Sequence, residues 1–329
     1  MVYMQHWSPG GCVTVLPRNL QRWRAANSRP YELKNIAIYT KLKKKGTPAM
    51  NRFLSILLAL GLSLSCAACG AKNPETPDRE PVELVELVVF AAASLTETLT
   101  QIREDYAKLH PEVTLVYNFD SSGKLLTQIT EGADCDLFLS AAPKQMNALD
   151  GTLGQDPQKN PQGLDRIVPE SRVNLLENKV TLAVPEGNPK EIHSFDDLAA
   201  HLQAGDILLA VGNSDVPVGQ YTLKIFDHYG LDTAQLEKGG VLTYGNNVKE
   251  VTAQVSQAAA DCGIIYATDA YSAGLTVVDS ATKEMCGQVI YPAAVLRGQK
   301  EAAAQAFLDY LGTQDAMAVF AAVGFTPAG

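Results

Sequence analysis

Strand-like apolar runs alternate with amphipathic helix patterns from about residue 83 to the end of the chain, and this alternation constrains the fold most. Leu84–Phe90 is rich in leucine and β-branched residues, as expected of a buried strand. The apolar residues that follow are spaced by four, three, four and three, which places them on one stripe of a helix: Leu95, Leu99, Ile102, Tyr106 and Leu109. Alternating Val113–Phe119 and a helix through Leu125–Ile129 continue the pattern. The sequence therefore predicts an α/β fold.

The alternation falls into two blocks separated by a polar, proline-containing segment, Gly151–Asn174, which we expect to be a surface excursion. We predict a first lobe from residues 83–175 plus 275–329, and a second lobe from residues 176–274. Each lobe would be a mixed sheet flanked by helices. Chain segments that cross between two lobes favour a hinged clamshell with its ligand in the cleft between the lobes.

The segment over residues 50–69 has the pattern of a lipoprotein signal peptide. A basic start at Met50 is followed by the apolar run Phe53–Leu64 and by small residues before Cys69. The apolar run is short for a membrane span. We predict Cys69 as the lipidated residue, with Cys66 as the alternative acceptor. An ordinary signal peptide with incidental cysteines is the other interpretation.

The roles of the two segments that flank this signal peptide are inferred from it. Residues 70–82 are rich in proline and acidic residues and would form a flexible tether. The lipid would anchor the protein at the outer face of the cytoplasmic membrane, facing the periplasm if the cell has an outer membrane. Residues 1–49 contain both tryptophans, Trp7 and Trp23, and fit no part of this scheme. We interpret them as a dispensable extension, with translation starting at Met50, or else as a long basic leader.

Charge limits the classes of partner. The whole chain has a formal net charge of −9, but residues 69–329 hold 17 basic and 35 acidic side chains, a formal charge of −18. Nucleic acid is disfavoured because phosphate binding needs clustered Lys and Arg. Any bound anion must be held by local donors against the overall field.

The predicted lobes contain three further cysteines, Cys135, Cys262 and Cys286, which allow at most one disulfide. The spacing of these cysteines and of the histidines matches no metal site. We expect no cofactor.

Four loop-to-helix junctions follow predicted strands, two in each lobe, and contain Ser94, Ser122, Val218 and Val248. Ser94 precedes Glu97 at the spacing of a capping box. Helix starts present unpaired backbone N–H groups and the positive end of the helix dipole, which together favour an anion. The alternative for each junction is ordinary helix capping. The pattern by itself indicates a candidate anion cleft built from uncharged groups.

Several segments, in this order, resemble the molybdate-binding proteins of bacterial ABC transporters. The resemblance covers the chain from about Glu83 to the C-terminus. The matching segments are Val89–Thr96, Asn118–Gly123, Ala133–Ala141, Asp215–Tyr221, Gly263–Ala270, Phe307–Leu311 and Gly324–Thr326. The resemblance implies a periplasmic-binding-protein clamshell that captures molybdate or tungstate. It would act as a monomer, without catalysis, and deliver the anion to a membrane permease and its ATPase.

The resemblance also implies the ligand-binding residues. Ser94 and Ser122 would supply hydroxyl and backbone donors, Val218 and Val248 would supply backbone N–H groups, and Tyr266 would supply its phenol. Asp120 departs from the small uncharged residue expected at its position. A carboxylate close to a dianion would repel it, so we expect Asp120 to point away or to cap its loop.

Other functions stay open at this point. The solute could be sulfate, phosphate or ferric iron, although the matched segments contain neither a tyrosine pair nor histidine ligands for iron. A phosphate-ester hydrolase could use Ser94 as its nucleophile. No histidine is placed near a serine motif, however, and no G-x-S-x-G or Walker pattern is present.

Overall fold

The computed structural model describes residues 84–329. The predicted extension, signal peptide, tether and lipidation cysteines (Cys66 and Cys69) lie outside these residues and stay predictions. Between residues 84 and 329, no helix is both long and apolar enough to cross a membrane.

Two sheets organise the described chain. Its strands, in chain order, are β1 Val85–Ala92, β2 Val113–Asp120, β3 Leu137–Leu139, β4 Val173–Asn178, β5 Val180–Val184, β6 Leu209–Gly212, β7 Leu242–Gly245, β8 Cys262–Tyr266, β9 Thr276–Ser280, β10 Val289–Val295 and β11 Thr326–Pro327. The first sheet has the order β11-β4-β10-β3-β1-β2, and the second has the order β7-β6-β8-β5-β9. Both sheets are mixed: β1 is parallel to β2 and β3, and β6 to β7 and β8, whereas β10 and β5 pair with their neighbours antiparallel.

Helices flank both sheets, as the sequence predicted. They are α1 Thr96–Leu109, α2 Ser122–Thr130, α3 Pro143–Asn147, α4 Phe195–Ala204, α5 Pro217–His228, α6 Thr233–Gly239, α7 Val248–Ser256, α8 Ala267–Ser272, α9 Lys283–Cys286, α10 Glu301–Leu311 and α11 Gln314–Ala322. Four of them, α1, α2, α5 and α7, begin shortly after β1, β2, β6 and β7. Because these strands run parallel in pairs, the starts of the helices lie at the same edge of each sheet.

The predicted lobe boundaries need correction. The strand β9 pairs with β5, with Leu182 opposite Asp279, so it belongs to the second sheet and not to the first lobe. The strand β4 belongs entirely to the first sheet, and the chain passes to the second sheet at Lys179. The short apolar runs of β4 and β9 contain nothing that selects one sheet over the other.

The core of the first lobe buries both faces of β1. Leu87, Val89 and Ala91 are fully buried and belong to the same apolar cluster as the α1 stripe. Phe90, between them, belongs to a second cluster with Leu125 of α2. Successive strand residues point to opposite faces, so β1 is covered by helices on both sides. This packing holds the carboxyl ends of β1 and β2 side by side.

Candidate anion-binding site

A small cavity lies between the two lobes, with a volume of about 190 Å³. It is lined by Ala92, Ala93, Ser94, Ser121, Ser122, Ala141, Val216, Pro217, Val248 and Tyr266. Four other concave sites in the described chain measure about 820 to 870 Å³ on the same basis. The cavity is less than a quarter of their size, which suits a small ion, and every residue that lines it is uncharged.

Ser94 lies in the cavity wall, but it does not cap α1. The helix begins at Thr96 with Leu95 at its N-cap, and no side chain caps it. Ser94 belongs to a short 3₁₀ turn instead, and its Oγ lies 3.0 Å from the phenol oxygen of Tyr291. The capping-box prediction is therefore wrong, because the extra turn shifts the helix start and leaves the Ser94 hydroxyl for another partner.

Ser122 is fully buried at the first position of α2. The cap of this helix is Ser121, whose Oγ accepts a hydrogen bond from the Lys124 N–H. Ser122 Oγ accepts from the Ala141 N–H at 3.0 Å. That bond does not use the Ser122 O–H, which stays available as a donor in the cavity wall.

Asp120 turns away from the cavity, as expected from the argument about repulsion. Its carboxylate accepts a hydrogen bond of 2.7 Å from the Ser121 N–H, and Lys124 Nζ lies 3.6 Å from it. The negative charge is thus directed at its own loop and at a nearby cation.

The second lobe contributes two helix starts. Val248 lines the cavity and is the first residue of α7, whose cap, Asn247, accepts from the Glu250 N–H. The other helix, α5, begins at Pro217, and Val216 and Pro217 line the cavity. Val218 is not in the cavity wall: its side chain is buried in the core, while its N–H lies in the first turn of α5. The first four N–H groups of a helix have no partner within it.

Tyr266 lies at the end of β8, fully buried, with its ring in the cavity wall. Among the described residues its hydroxyl has no hydrogen-bond partner. Burial raises the pKa of Tyr266 well above its ordinary value, so the phenol keeps its proton at neutral pH. A buried donor without an acceptor is costly in a folded protein. This phenol is therefore a donor that a ligand in the cavity would satisfy.

The two lobes are in direct contact around the cavity. The Gly123 N–H donates to the Asp215 carbonyl across the cleft at 3.0 Å. Lys249, beside Val248, lies 2.7 Å from Glu97 on α1 and 2.9 Å from the fully buried Asp269 on α8. Burial raises the pKa of Asp269 to about 6, although Lys249 acts in the opposite direction. These contacts describe a closed clamshell.

No local pattern in the sequence indicates the groups behind the cavity. Tyr291, 197 residues further along the chain, contacts Ser94, and Asn178 in turn donates to the Tyr291 phenol. The pairing of β4 with β10 brings Asn178 and Tyr291 together. Within residues 84–329, no group of three or more His, Cys, Asp or Glu side chains is arranged to hold a metal ion. The thiols of Cys135, Cys262 and Cys286 are all free.

Comparison with known proteins places this arrangement in a family. The model of the family described as "bacterial extracellular solute-binding protein" matches residues 87–326. The chain belongs to this family. As a solute-binding protein of this kind, it has the two-lobed α/β clamshell that its sequence predicted.

Two relatives and one solved structure illustrate the similarity. The putative ABC transporter substrate-binding lipoprotein YvgL of Bacillus subtilis is 30% identical over 84% of this chain and 98% of its own length. The molybdate-binding protein ModA of Haemophilus influenzae is also 30% identical, over 84% of this chain and 98% of its length. The substrate-binding domain of a putative molybdenum ABC transporter from Clostridium difficile is 29% identical, with a TM-score of 0.55 over 74% of this chain and all of that domain. The resemblance found in the sequence is thus confirmed.

Proposed function

We propose that this solute-binding protein captures molybdate or tungstate in the cavity between its lobes and delivers it to the permease and ATPase of an ABC importer. One observation carries the proposal: a small cavity that is lined only by uncharged residues, into which hydroxyls and helix starts converge. Ser94, Ser122 and Tyr266 would supply hydroxyl donors, and the first turns of α5 and α7, at Val218 and Val248, would supply backbone N–H groups. The molybdate-binding relatives support the choice of anion.

Neutral donors are sufficient to hold a dianion. A hydrogen bond to a charged group contributes on the order of 1.5–3 kcal/mol, more than a bond between neutral groups. Several such bonds around one buried ion reach micromolar affinity or better, at roughly 8 kcal/mol, after the costs of desolvation and lobe closure. The closed contacts around the cavity exclude water from these bonds, which strengthens them.

Sulfate is the second candidate, because it too is fully ionised at neutral pH and needs only donors. Its discrimination from molybdate would rest on the size of the cavity. A hydrolytic role for Ser94 has less support, because the partner of its hydroxyl is Tyr291 and not a base that could activate it.

A competition titration tests the proposal. Calorimetry on the purified protein should show one site, with molybdate and tungstate bound at least tenfold more tightly than sulfate. Ser122→Ala should weaken molybdate binding about tenfold, whereas Ser256→Ala, at an exposed serine at the end of α7, should leave it unchanged. Absence of heat with both molybdate and tungstate would reject the proposal, and tighter binding of sulfate would assign the site to sulfate.

The attachment to the membrane is a separate proposal. We propose that Cys69 carries a lipid that holds a monomeric protein at the outer face of the cytoplasmic membrane. A lipoprotein among the relatives supports the anchor. Replacing Cys69 with alanine should release the protein from the membrane fraction in cells. Full retention of that variant would indicate Cys66 or a different anchor.

A further inference from the structure

A groove separate from the cavity also lies between the two lobes, and its wall contains Lys144, Lys159 and Lys224. We propose that this groove binds a multiply charged organic anion, which bridges the lobes and favours the closed clamshell. The groove shares no lining residue with the cavity and measures about 820 Å³, against about 190 Å³ for the cavity on the same basis. It is therefore a second site, for a larger ligand than a single oxyanion.

The charge of the groove is the reverse of the charge of the protein around it. Residues 69–329 hold 35 acidic and 17 basic side chains. The three other large concave sites of the described chain each have one carboxylate in the wall and neither lysine nor arginine. The groove has three lysines and no carboxylate. Like charges repel one another, so this arrangement favours an anionic occupant.

Two of the three lysines have no acidic partner. In the part of the chain that the structure describes, neither Lys144 nor Lys224 forms an ion pair. Lys224 is positioned by neutral groups instead: its Nζ donates to the Cys286 carbonyl at 3.3 Å and lies 5.2 Å from the centre of the Tyr221 ring. Neither contact neutralises the ammonium, so its charge stays available to a ligand.

An amide donor accompanies the lysines in the wall of the first lobe. Asn147 lines the groove at the end of α3, and its Oδ1 accepts a hydrogen bond from the Arg172 guanidinium. Because Arg172 can only donate, this bond fixes the orientation of the amide and leaves the Asn147 NH₂ group as a donor. Arg172 is itself held by an ion pair with the buried Asp150.

The third lysine comes from the excursion that follows α3, and its backbone is held firmly. Asn160, next to Lys159, is fully buried. Its amide donates to the carbonyls of Asp150 and Leu164 and accepts from the Leu164 N–H. The Lys159 ammonium lies 3.0 Å from the exposed carboxylate of Asp156. Such a surface pair is weak, so an anion in the groove can displace it.

The groove connects the lobes. Lys144 and Lys159 belong to the first lobe, and Lys224 lies on α5 of the second, which begins at Pro217 in the cavity wall. An anion needs several charges to contact lysines on separate segments, and it contacts both lobes best when they are closed. By linkage, such an anion favours closure and strengthens binding in the cavity. Only this coupling rests on the proposed function of the cavity.

Calorimetry with inorganic pyrophosphate and with citrate tests the site, with acetate as the singly charged control. The wild type should bind at least one of the two polyanions at a single site and should not bind acetate. The double variant Lys144→Gln/Lys224→Gln should weaken that binding roughly tenfold or more, because it removes two charged donors. The charge-matched control Lys108→Gln/Lys238→Gln, at exposed lysines outside the groove, should bind as the wild type does.

The two polyanions also distinguish the sources of charge, since pyrophosphate offers phosphate groups and citrate offers carboxylates. No binding of either would overturn the site, as would equal binding in the wild type and in Lys144→Gln/Lys224→Gln. Loss of polyanion binding when molybdate is saturating would place the polyanion in the cavity and overturn the site as well.

A molybdate titration in the presence of saturating polyanion measures the coupling. Molybdate should bind about fivefold more tightly than it does without the polyanion. Unchanged molybdate affinity would overturn the bridging role. A protein that binds the polyanion through these lysines but binds no molybdate would overturn the proposed function of the cavity and support the groove as a site of its own.

Discussion

The two lobes meet at two neighbouring places of opposite character. One is the cavity, whose wall contains no charged side chain. The other is a charged cluster that we define as Glu97, Lys249 and Asp269, in which Lys249 bridges the two carboxylates. They adjoin along the chain, because Lys249 follows Val248 of the cavity wall. Under the proposed function, neutral donors would bind the ligand, while Lys249 joins the lobes through its ion pair with Glu97.

This division has a physical reason. A lysine facing the cavity would attract any anion, whereas fixed N–H and O–H donors reward only an ion of the right size and protonation state. The positive charge of Lys249 is matched by Glu97 and Asp269, so it contributes little net attraction for an anion. The charged cluster joins the two lobes beside the cleft, and the proposed function leaves selection of the ligand to the neutral cavity.

Blocking closure should have the largest effect on binding. A Cβ atom added at Gly123 would lie 2.3 Å from the Asp215 carbonyl oxygen, so Gly123→Ala prevents the lobes from meeting. Molybdate affinity should fall about a thousandfold, or roughly 4 kcal/mol, since one lobe alone offers half of the donors. The ligand-free fold should persist, because alanine suits the first turn of α2.

The control for this variant is Gly298→Ala, at a glycine where an added Cβ would meet nothing within 4 Å. It should bind molybdate as the wild type does. Calorimetry on both variants makes the comparison. Wild-type affinity in Gly123→Ala would show that the cavity does not require the closed contact.

Breaking the charged cluster should mainly affect stability. Lys249→Met leaves the Asp269 carboxylate buried without its cation, which should cost about 3 kcal/mol in the free energy of unfolding. The double variant with Asp269→Asn should recover most of this loss, which a double-mutant cycle in urea measures. Lys108→Met removes an exposed surface pair with Asp105 and should leave the free energy of unfolding nearly unchanged. Equal losses at Lys249 and Lys108 would contradict a special role for the charged cluster.

The pH dependence should be the smallest effect. The pKa of Asp269 is raised by burial from 3.8 to about 6, so the unfolded chain releases this proton at lower pH than the folded protein does. Ionisation therefore favours the unfolded state as the pH rises. Between pH 5 and pH 7 the wild type should lose about 1 kcal/mol of stability relative to Asp269→Asn. Unfolding in urea at both pH values checks this. A gain in stability over the same pH range would show that Lys249 lowers the pKa of Asp269 by more than burial raises it.

The fold was largely predictable from the sequence, because periodicity reports burial directly. The stripe of α1 is an example: Leu99, Ile102 and Tyr106 are buried as predicted, and only Leu109, at the end of the helix, is exposed. Assigning β9 to a sheet was not predictable, because strand pairing is a long-range choice that a short apolar run does not encode.

The candidate site, like the fold, was predictable from the sequence only in part. The sequence predicts that Ser122 and Val248 lie at helix starts that follow strands, and both are the first residues of their helices. This was predictable because local sequence determines where a helix begins. The role of Ser94 was misread as capping, because its partner Tyr291 lies 197 residues further along the chain. Tyr291, Asn178 and the charged cluster depend on the folded arrangement, and no local pattern reveals them.

The central claim is that an oxyanion binds in the neutral cavity between the lobes, and a crystal structure with molybdate tests it most directly. Anomalous scattering from molybdenum should give a single peak in the cavity, with oxygens about 2.5–3.0 Å from the Ser94 and Ser122 hydroxyl oxygens. A peak in the separate groove lined by Lys144, Lys159 and Lys224 instead, with none in the cavity, would contradict the account.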